Sequence, residues 1–402
     1  MEYVLRKGYP LRRREFDERI AEAERHIFSL GLGDAAEEVG RVNAALFLAK
    51  LHYLQEQLGY DRHAMFIGTP DFTFQTSPYK FRDAVPEGGK LIWGDGGYNL
   101  IPAEIEPDFC GLLVGTVEDS VSLEEILDSL YSMSVRDNCY INGVKVKLEN
   151  FRPGSHFLNV YRVEGHEALN LPEIVAVLHT SSSEMRDQLT NFVRERGEMI
   201  WTPFGRTYLL RDGDAREYEK RCRYADEFSE KKRSLLFQEI FGHGETLLNK
   251  NHYTLIGLNE AIIGCHTIHD QGELLPVMLV EDSPAYLVRG RMNLSQEIIE
   301  QLFGSKRLES WVYERLSNAN IAPHGGGHRL IDIEGIWKVI LYPQAKVIIP
   351  KAKNHVKAYV DMETAFRNYR FKGILERIQS LGLADHYATL RPVYGVKVDF
   401  FN

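Results

Sequence analysis

Apolar residues recur at helical spacing through the N-terminal part of the chain. In residues 15–32 and again in residues 35–58, an apolar side chain returns every three or four positions among charged ones. This spacing places the apolar side chains on one face of a helix. Gly33 and Asp34 separate the two stretches, and these residue types end and cap helices. We therefore predict an N-terminal helical segment over residues 1–62.

From residue 64 the pattern changes to short apolar runs bounded by glycine and proline. Such runs are typical of strands, which we predict over residues 65–68, 90–93, 111–117, 157–163, 174–178, 253–263, 274–280, 285–289, 338–349 and 394–401. Longer amphipathic stretches predict helices over residues 122–133, 183–196, 214–239 and 366–381. Strands and helices do not alternate regularly. The pattern thus predicts a mixed α/β (α+β) fold, a single domain over residues 63–402 with an irregular multi-stranded sheet core and peripheral helices.

Composition narrows the class of protein. The 402 residues are 44% apolar and 26% charged, as in soluble globular proteins. A net charge of −9 does not itself indicate nucleic-acid binding, and the basic runs at residues 12–14 and 231–233 are typical of solvated surfaces. No apolar run reaches the ~18 residues of a membrane span. Four cysteines without a CxxC pair, and no visible signal peptide, predict a cytoplasmic protein.

Residues 323–330 combine glycines with histidines and an arginine. Three consecutive glycines lie between His324 and His328, and Arg329 follows. Glycine allows a sharp turn and a close approach of the backbone to a ligand, and exposed amides in such a loop can bind an anion. The histidines offer a nucleophile or a metal ligand, and the arginine offers a cation for phosphate. The pattern is equally that of a glycine linker with uninvolved histidines, so the loop alone leaves both interpretations open.

Several cysteine and histidine residues lie at the ends of predicted strands. Cys110 precedes one strand, His156 begins another and His179 ends a third, while His252 and His266 lie in the C-terminal half. Taken alone, a histidine near a strand is more often structural than a ligand, and a single cysteine is more often a small buried apolar residue. If distant strands bring them together, cysteine, histidine and aspartate form a suitable ligand set for zinc or manganese.

In their order along the chain, these segments resemble the motifs of the RtcB family of RNA ligases. That family carries a Cys-Gly pair before a strand, histidines at strand starts and ends, a His-Gly loop and a final Val-Lys segment. The same order is kept here over residues 66–402. The similar segments are Pro70-Asp71-Phe72, Asp108-Phe109-Cys110-Gly111, Gly154-Ser155-His156-Phe157, Leu178-His179-Thr180-Ser181-Ser182, Asn251-His252-Tyr253, His324-Gly325-Gly326-Gly327, Ala358-Tyr359-Val360-Asp361 and Val396-Lys397.

The resemblance implies a reaction and a set of site residues. RtcB ligases join 2′,3′-cyclic-phosphate or 3′-phosphate RNA ends, from tRNA halves or damaged RNA, to 5′-hydroxyl ends, using GTP and two manganese ions. By this resemblance His324 would attack the α-phosphorus of the nucleotide. The implied metal ligands are Cys110, His156, His179 and His252, with His266 and Asp108 as further candidates. The implied nucleotide contacts are Asn159, His328, Arg329, Tyr359 and Lys397. The resemblance also leaves an activating protein partner open. We expect no membrane partner.

The chain departs from the family pattern where nucleotide and phosphate are bound. Asn159 stands where the family has a glutamate that contacts guanine, which leaves ATP open beside GTP. Ser183 stands where the family has a phosphate-binding arginine, and Arg186 follows one turn later. His328 stands where the family has a second arginine. Zinc is an alternative to manganese. Two other functions therefore stay open, namely a metal-dependent phosphodiesterase or phosphatase acting on RNA ends or nucleotides, and a non-catalytic RtcB-like paralogue.

Overall fold

The protein is described here by a computed structural model covering residues 1–135, 139–147, 151, 156–165, 170–242, 244–279, 283–304, 307–353, 356–365 and 367–398. Its α-helices in these ranges are α1 Arg13–Arg25, α2 Ala35–Gln57, α3 Pro78–Arg82, α4 Leu123–Ser134, α5 Ser183–Arg196, α6 Asp212–Phe241, α7 Gln296–Phe303, α8 Ser310–Ser317 and α9 Ile374–Ser380. Among these described helices, none is long and apolar enough to cross a bilayer.

The strands are short and numerous. They are β1 Glu2–Leu5, β2 Ile27–Ser29, β3 Met65–Phe74, β4 Pro86–Ile92, β5 Leu100–Pro102, β6 Gly111–Thr116, β7 Tyr140–Ile141, β8 Val144–Lys145, β9 Phe157–Glu164, β10 Ile174–Thr180, β11 Glu198–Thr202, β12 Gly205–Arg211, β13 Thr246–Asn251, β14 Tyr253–Gly257, β15 Glu260–Ile263, β16 Cys265–Thr267, β17 Leu274–Val277, β18 Ala285–Gly290, β19 Ile321–Pro323, β20 His328–Leu330, β21 Ile333–Tyr342, β22 Ala345–Ala352, β23 Arg367–Tyr369 and β24 Ala384–Val396.

Two large sheets organise the molecule. A seven-stranded antiparallel sheet has the order β13-β6-β10-β9-β24-β18-β17, and a five-stranded sheet has the order β14-β15-β4-β3-β2. Smaller sheets of two or three strands surround them. Helix content is 33% and strand content 36%, distributed over several sheets. The predicted mixed α/β class with an irregular sheet core is therefore confirmed.

Local signals account for several helices. Helix α5 spans the predicted residues 183–196, and α6 contains the predicted 214–239. Ser122 begins α4 with a capping box, in which its hydroxyl accepts from the Glu125 N–H while the Glu125 carboxylate accepts from the Ser122 N–H. Asp34 caps α2 in a similar manner, by accepting from the Glu37 N–H. Each cap satisfies backbone donors that the first helical turn leaves unpaired.

Two predicted helices are shorter than expected, because tertiary pairing overrides helical spacing. The helix predicted over residues 15–32 ends at Arg25, and the following β2 pairs in parallel with β3. The stretch predicted as a helix over residues 366–381 contains β23, which pairs with β20, and then α9. Gly373, with a φ of 79°, separates these two elements. Phe366 and residues 399–401 of the predicted last strand lie outside the described residues.

The N-terminal segment packs into the main core. Strand β1 pairs in parallel with β21, and α2 packs against β3. Phe16 of α1, Phe47 of α2 and Phe66 of β3 are fully buried in one hydrophobic cluster. The residues predicted as an N-terminal helical segment thus contribute two helices and two strands to the same core as the sheets.

Strand register brings several chain segments to one end of the seven-stranded sheet. Strand β6 lies between β13 and β10, and its first residue, Gly111, pairs with the last residues of both, Asn251 and Thr180. Strand β9 begins at the same end, where Phe157 pairs with His179. Side chains at these strand ends are therefore close in space although they are far apart in sequence.

Candidate metal centre

The ends of three neighbouring strands bring together a cysteine and two histidines. Cys110 directly precedes β6, His179 is the penultimate residue of β10, and His252 lies between β13 and β14. Cys110 Sγ lies 2.8 Å from His179 Nε2, which lies 3.2 Å from His252 Nε2. The three side chains are buried and their ligand atoms lie within 4.8 Å of one another.

These separations are suited to one metal ion. Sulfur and nitrogen ligands bind zinc at about 2.0–2.3 Å in tetrahedral geometry, which places ligand atoms about 3.3–3.8 Å apart. The observed separations of 2.8 and 3.2 Å approach those values, and small side-chain shifts would accommodate an ion. The Cys110, His179 and His252 group can therefore bind one metal ion, and its donor types do not distinguish zinc from other soft or borderline metals.

His252 is held in a metal-binding state by its surroundings. Burial and the neighbouring imidazoles lower its pKa well below the usual histidine value. The ring is therefore neutral at physiological pH and offers a lone pair. Its backbone is fixed on both sides, because its N–H donates to the Cys110 carbonyl at 2.9 Å and its carbonyl accepts from Gly264 and Cys265 at 2.8 and 3.1 Å.

A buried arginine connects the chain segments that precede Cys110 and His252. Arg233 of α6 donates to Asn249 Oδ1 at 2.7 Å and to Asn251 Oδ1 at 2.5 Å. Its Nη1 donates to Ser229 Oγ at 2.9 Å, and the Ser229 hydroxyl donates to the Phe109 carbonyl at 2.7 Å. The guanidinium thus connects the residue before Cys110 with the residue before His252.

His324 lies against the metal-ligand group and is held by a buried carboxylate. Its ring stacks on that of His252, with centroids 4.4 Å apart. Its Nδ1 lies 2.8 Å from Asp71 Oδ2 and 2.7 Å from the Gly264 carbonyl. The side chain of Asp71 is fully buried, whereas that of His324 is a quarter exposed. Because Nδ1–H faces two acceptors, Nε2 carries the lone pair of the neutral ring.

Two effects act in opposite directions on His324. Burial disfavours the charged ring, but the hydrogen bond to Asp71 and its charge, together with Glu87 and the Gly264 carbonyl, raise the pKa of His324 above its ordinary value. The acidic environment therefore stabilises positive charge on this ring.

The metal-ligand group and His324 line one cavity of about 740 Å³, within the size range of small-molecule sites. Its lining is rich in charge. The carboxylates are Asp71, Glu87, Glu106, Asp108 and Asp187, and the cationic side chains are Lys80, Arg186 and Lys397. Carboxylates thus outnumber permanent cations even before the Cys110 thiol ionises, and this excess favours metal cations in the cavity.

Glu87 of β4 is an acidic group in the cavity wall. A Cβ atom at Gly264 would collide with Glu87 Oε1 and contact His324 Cε1, so both side chains lie against this glycine. Burial of the carboxyl raises the pKa of Glu87 to about 7, although Lys80 and His324 oppose the shift. Glu87 can therefore exchange a proton near neutral pH.

Four further predicted residues line the same cavity. They are Asp108, Asn159, His328 and Lys397. The Asp108 carboxylate accepts from the Cys110 N–H at 3.1 Å. The His328 ring stacks between Phe74 and Tyr369, with centroid distances of 5.4 and 5.0 Å. The glycine-histidine loop is therefore part of the cavity wall.

Other predicted residues lie near the cavity or away from it. The ring of His156 is edge-on to His179 at 5.7 Å, and that of His266 is edge-on to His252 at 5.8 Å. His266 Nε2 is directed to the Pro276 carbonyl at 3.0 Å. Tyr359 is buried in the core, where it forms a β-bridge with Ile348, and Arg329 is exposed on β20; neither lines the cavity. Gly154 and Ser155, named in the resemblance, lie outside the described residues.

Some residues of the site carried little sequence signal. Glu87 is an ordinary acidic residue between a proline and two glycines, and Lys80 belongs to a short helix. The charge pattern predicts a solvated surface for the basic run at residues 231–233, yet Lys232 and Arg233 are almost fully buried. The apolar stripe of α6 includes these positions, and that periodicity was the available signal.

Comparisons with known proteins find no match for this chain, either among protein-family models or among curated proteins.

Proposed function

We propose that this protein is an RtcB-like RNA ligase, which joins 2′,3′-cyclic-phosphate or 3′-phosphate RNA ends to 5′-hydroxyl ends through a nucleotidyl-histidine intermediate. The position of His324 supports this proposal most strongly. Its ring lies 4.4 Å from that of His252, a member of the metal-ligand group, while Asp71 binds its Nδ1 at 2.8 Å. An imidazole oriented in this way is a nucleophile with its second nitrogen available.

The first step of the proposed reaction forms the intermediate. Nε2 of His324 attacks the α-phosphorus of a nucleoside triphosphate. The bond from that phosphorus to the α–β bridging oxygen breaks, and pyrophosphate leaves with the electron pair. Asp71 accepts the Nδ1–H bond throughout, so it orients the ring and stabilises the positive charge that develops on it.

The donor set fits the metal ions that the resemblance implies. Cys110, His179 and His252 would hold one ion, and Asp108 and His156 are the candidate ligands of a second ion. Bound manganese or zinc would supply positive charge to phosphate oxygens. The excess of carboxylates in the cavity supports the same conclusion, because an anionic nucleotide would otherwise meet a negatively charged wall.

The later steps use the RNA ends. A 3′-phosphate oxygen of one RNA attacks the nucleotidyl phosphorus, and the bond to His324 breaks. The 5′-hydroxyl of the second RNA then attacks the activated 3′-phosphate, and the nucleoside monophosphate leaves. A cyclic phosphate would first be opened by water. Lys80 and Arg186, which line the cavity, are suited to bind a terminal phosphate.

Covalent labelling tests this proposal. Full-length protein is incubated with manganese and either ATP or GTP labelled at the α-phosphorus, and bound label is measured after denaturation. We expect an acid-labile adduct that is lost in His324→Ala and retained in His269→Ala, a matched change at an exposed histidine. Failure to form an adduct with either nucleotide would contradict the proposal. Removal of the RNA terminal phosphate without nucleotide would assign the centre to hydrolysis instead.

A further inference from the structure

An unpaired amide oxygen lies in the wall of the cavity. Asn159 of β9 is 4% exposed and lines the cavity, and its Nδ2 donates to the Tyr161 hydroxyl at 2.9 Å. Within the described residues its Oδ1 is fully buried and has no hydrogen-bond partner. Burying an amide oxygen without a partner destabilises a fold, so such groups in binding sites point to a ligand that supplies the missing donor.

The surroundings of Asn159 suit a flat ring. Phe157, Asn159 and Tyr161 alternate along β9 and therefore share one face of the sheet, and all three line the cavity. Gly395 of β24 pairs with Asn159 and carries no side chain. Lys397 follows two residues later and also lines the cavity. The amide is thus flanked along β9 by two aromatic side chains and faces a glycine on β24.

On this basis we infer that the nucleotide used by this protein is an adenine nucleotide, selected by the side-chain amide of Asn159. The inference rests on the proposed nucleotidyl transfer and names its substrate. Adenine presents an N6–H donor beside a ring-nitrogen acceptor, at N1 or N7. Asn159 Oδ1 accepts from N6–H, and the second Nδ2 hydrogen, which Tyr161 does not use, donates to the ring nitrogen.

Guanine fits the same amide less well. Its Watson–Crick edge presents the O6 acceptor and then the N1–H and N2–H donors, and pairing both donors needs two acceptors. A carboxylate provides both, whereas the single oxygen of an amide that pairs with N1–H and O6 leaves N2–H without an acceptor on Asn159. Because one well-formed amide–adenine pair discriminates between bases by about 1–3 kcal/mol, we expect ATP to be preferred over GTP by about 5- to 150-fold.

Two measurements separate this inference from the proposed chemistry. The first is equilibrium binding of labelled ATP and GTP, with manganese, to full-length His324→Ala, which cannot form the adduct. The second is the rate of adduct formation by the wild-type protein. A tenfold preference for ATP in binding supports the role of Asn159, whether or not an adduct forms. The absence of an adduct would refute only the nucleotidyl transfer. An adduct formed preferentially from GTP would overturn the adenine inference and leave the proposed ligase chemistry standing.

Substitution of Asn159 provides the sharper test. Asn159→Asp is nearly isosteric and replaces the donor with a second acceptor, so we expect the ATP:GTP ratio to fall at least tenfold and GTP binding to strengthen. Asn159→Ala, which removes both groups, should bring the ratio close to one. Gln379→Glu adds the same charge on the exposed side of α9 and should leave the ratio unchanged. An unchanged ratio in both Asn159 variants would refute the inference.

Discussion

Replacing Asp71 with asparagine tests whether its charge activates His324. Asp71 Oδ2 accepts from His324 Nδ1 at 2.8 Å and from the Gly325 N–H at 3.2 Å, and Oδ1 contacts the hydroxyl of Thr69. In Asp71→Asn, the amide oxygen can occupy the Oδ2 position and keep both acceptor roles. The amide NH₂ then faces Thr69 Oγ, which can accept it because that hydroxyl also lies 2.9 Å from the Gly88 carbonyl and can donate there. The substitution therefore removes charge with little change of geometry.

The expected loss follows from the strength of the contact. A hydrogen bond to a charged partner contributes about 1.5–3 kcal/mol, and each ~1.4 kcal/mol changes a rate tenfold. We expect Asp71→Asn to slow adduct formation by about 10- to 150-fold. The pKa of His324 should also fall, since the Asp71 hydrogen bond and charge are the main influences that raise it.

Single-turnover labelling with α-labelled nucleotide measures this rate. Metal content and the free energy of unfolding are measured on the same samples, and Asp17→Asn on the exposed face of α1 serves as the matched control. A rate within twofold of wild type would show that Asp71 does not activate His324. A large loss of metal or of folding stability would contradict the geometric argument for an isosteric change.

Three further outcomes test the structure outside the reacting groups. Cys110→Ser should reduce bound metal, measured by mass spectrometry, at least tenfold while the circular dichroism spectrum is retained; wild-type metal content would show that the thiolate is not a ligand. Arg233→Met should lower the free energy of unfolding by about 2–5 kcal/mol, because partly buried acceptors on β13 lose their donor; denaturant titration measures this, and a change below about 0.5 kcal/mol, the size of an ordinary surface effect, would contradict it. Burial lowers the pKa of His52 to about 3, so its unfolded form binds the proton first and stability is lost as the pH falls from about 6.5 to 3. His52→Gln should make that slope shallower by up to about 1.4 kcal/mol per pH unit, and an unchanged slope in pH-dependent denaturation would refute the assignment.

Local pattern was sufficient for much of the secondary structure. Helix α5 begins and ends at the predicted residues. Its apolar side chains recur three or four positions apart and basic residues occupy its last turn, so its signals are local in the sequence. The short apolar runs likewise correspond to β6, β9 and β10. The same local logic failed where a distant strand competes, as in β2, which pairs with β3 instead of extending α1.

The sequence also indicates the chemical groups of the site. Cys110 and His179 are candidates from their positions at the ends of β runs, His324 from its glycine loop and His252 from a resemblance, and the described structure gathers all four in one cavity wall. Their meeting depends on strand register, since a one-residue slip between β6 and β10 would turn His179 to the other face of the sheet.

The glycine-histidine loop shows most clearly which properties the sequence determines and which depend on the tertiary structure. Its residue types determined that it could turn tightly and offer a nucleophile, because those properties belong to glycine and imidazole themselves. Its function depends on contacts that no local pattern encodes, since Gly325 donates to Asp71 across 254 residues of chain and His324 stacks on His252. Residue chemistry is local and was available from the sequence, whereas the burial and charge that tune it come from segments joined only by tertiary packing.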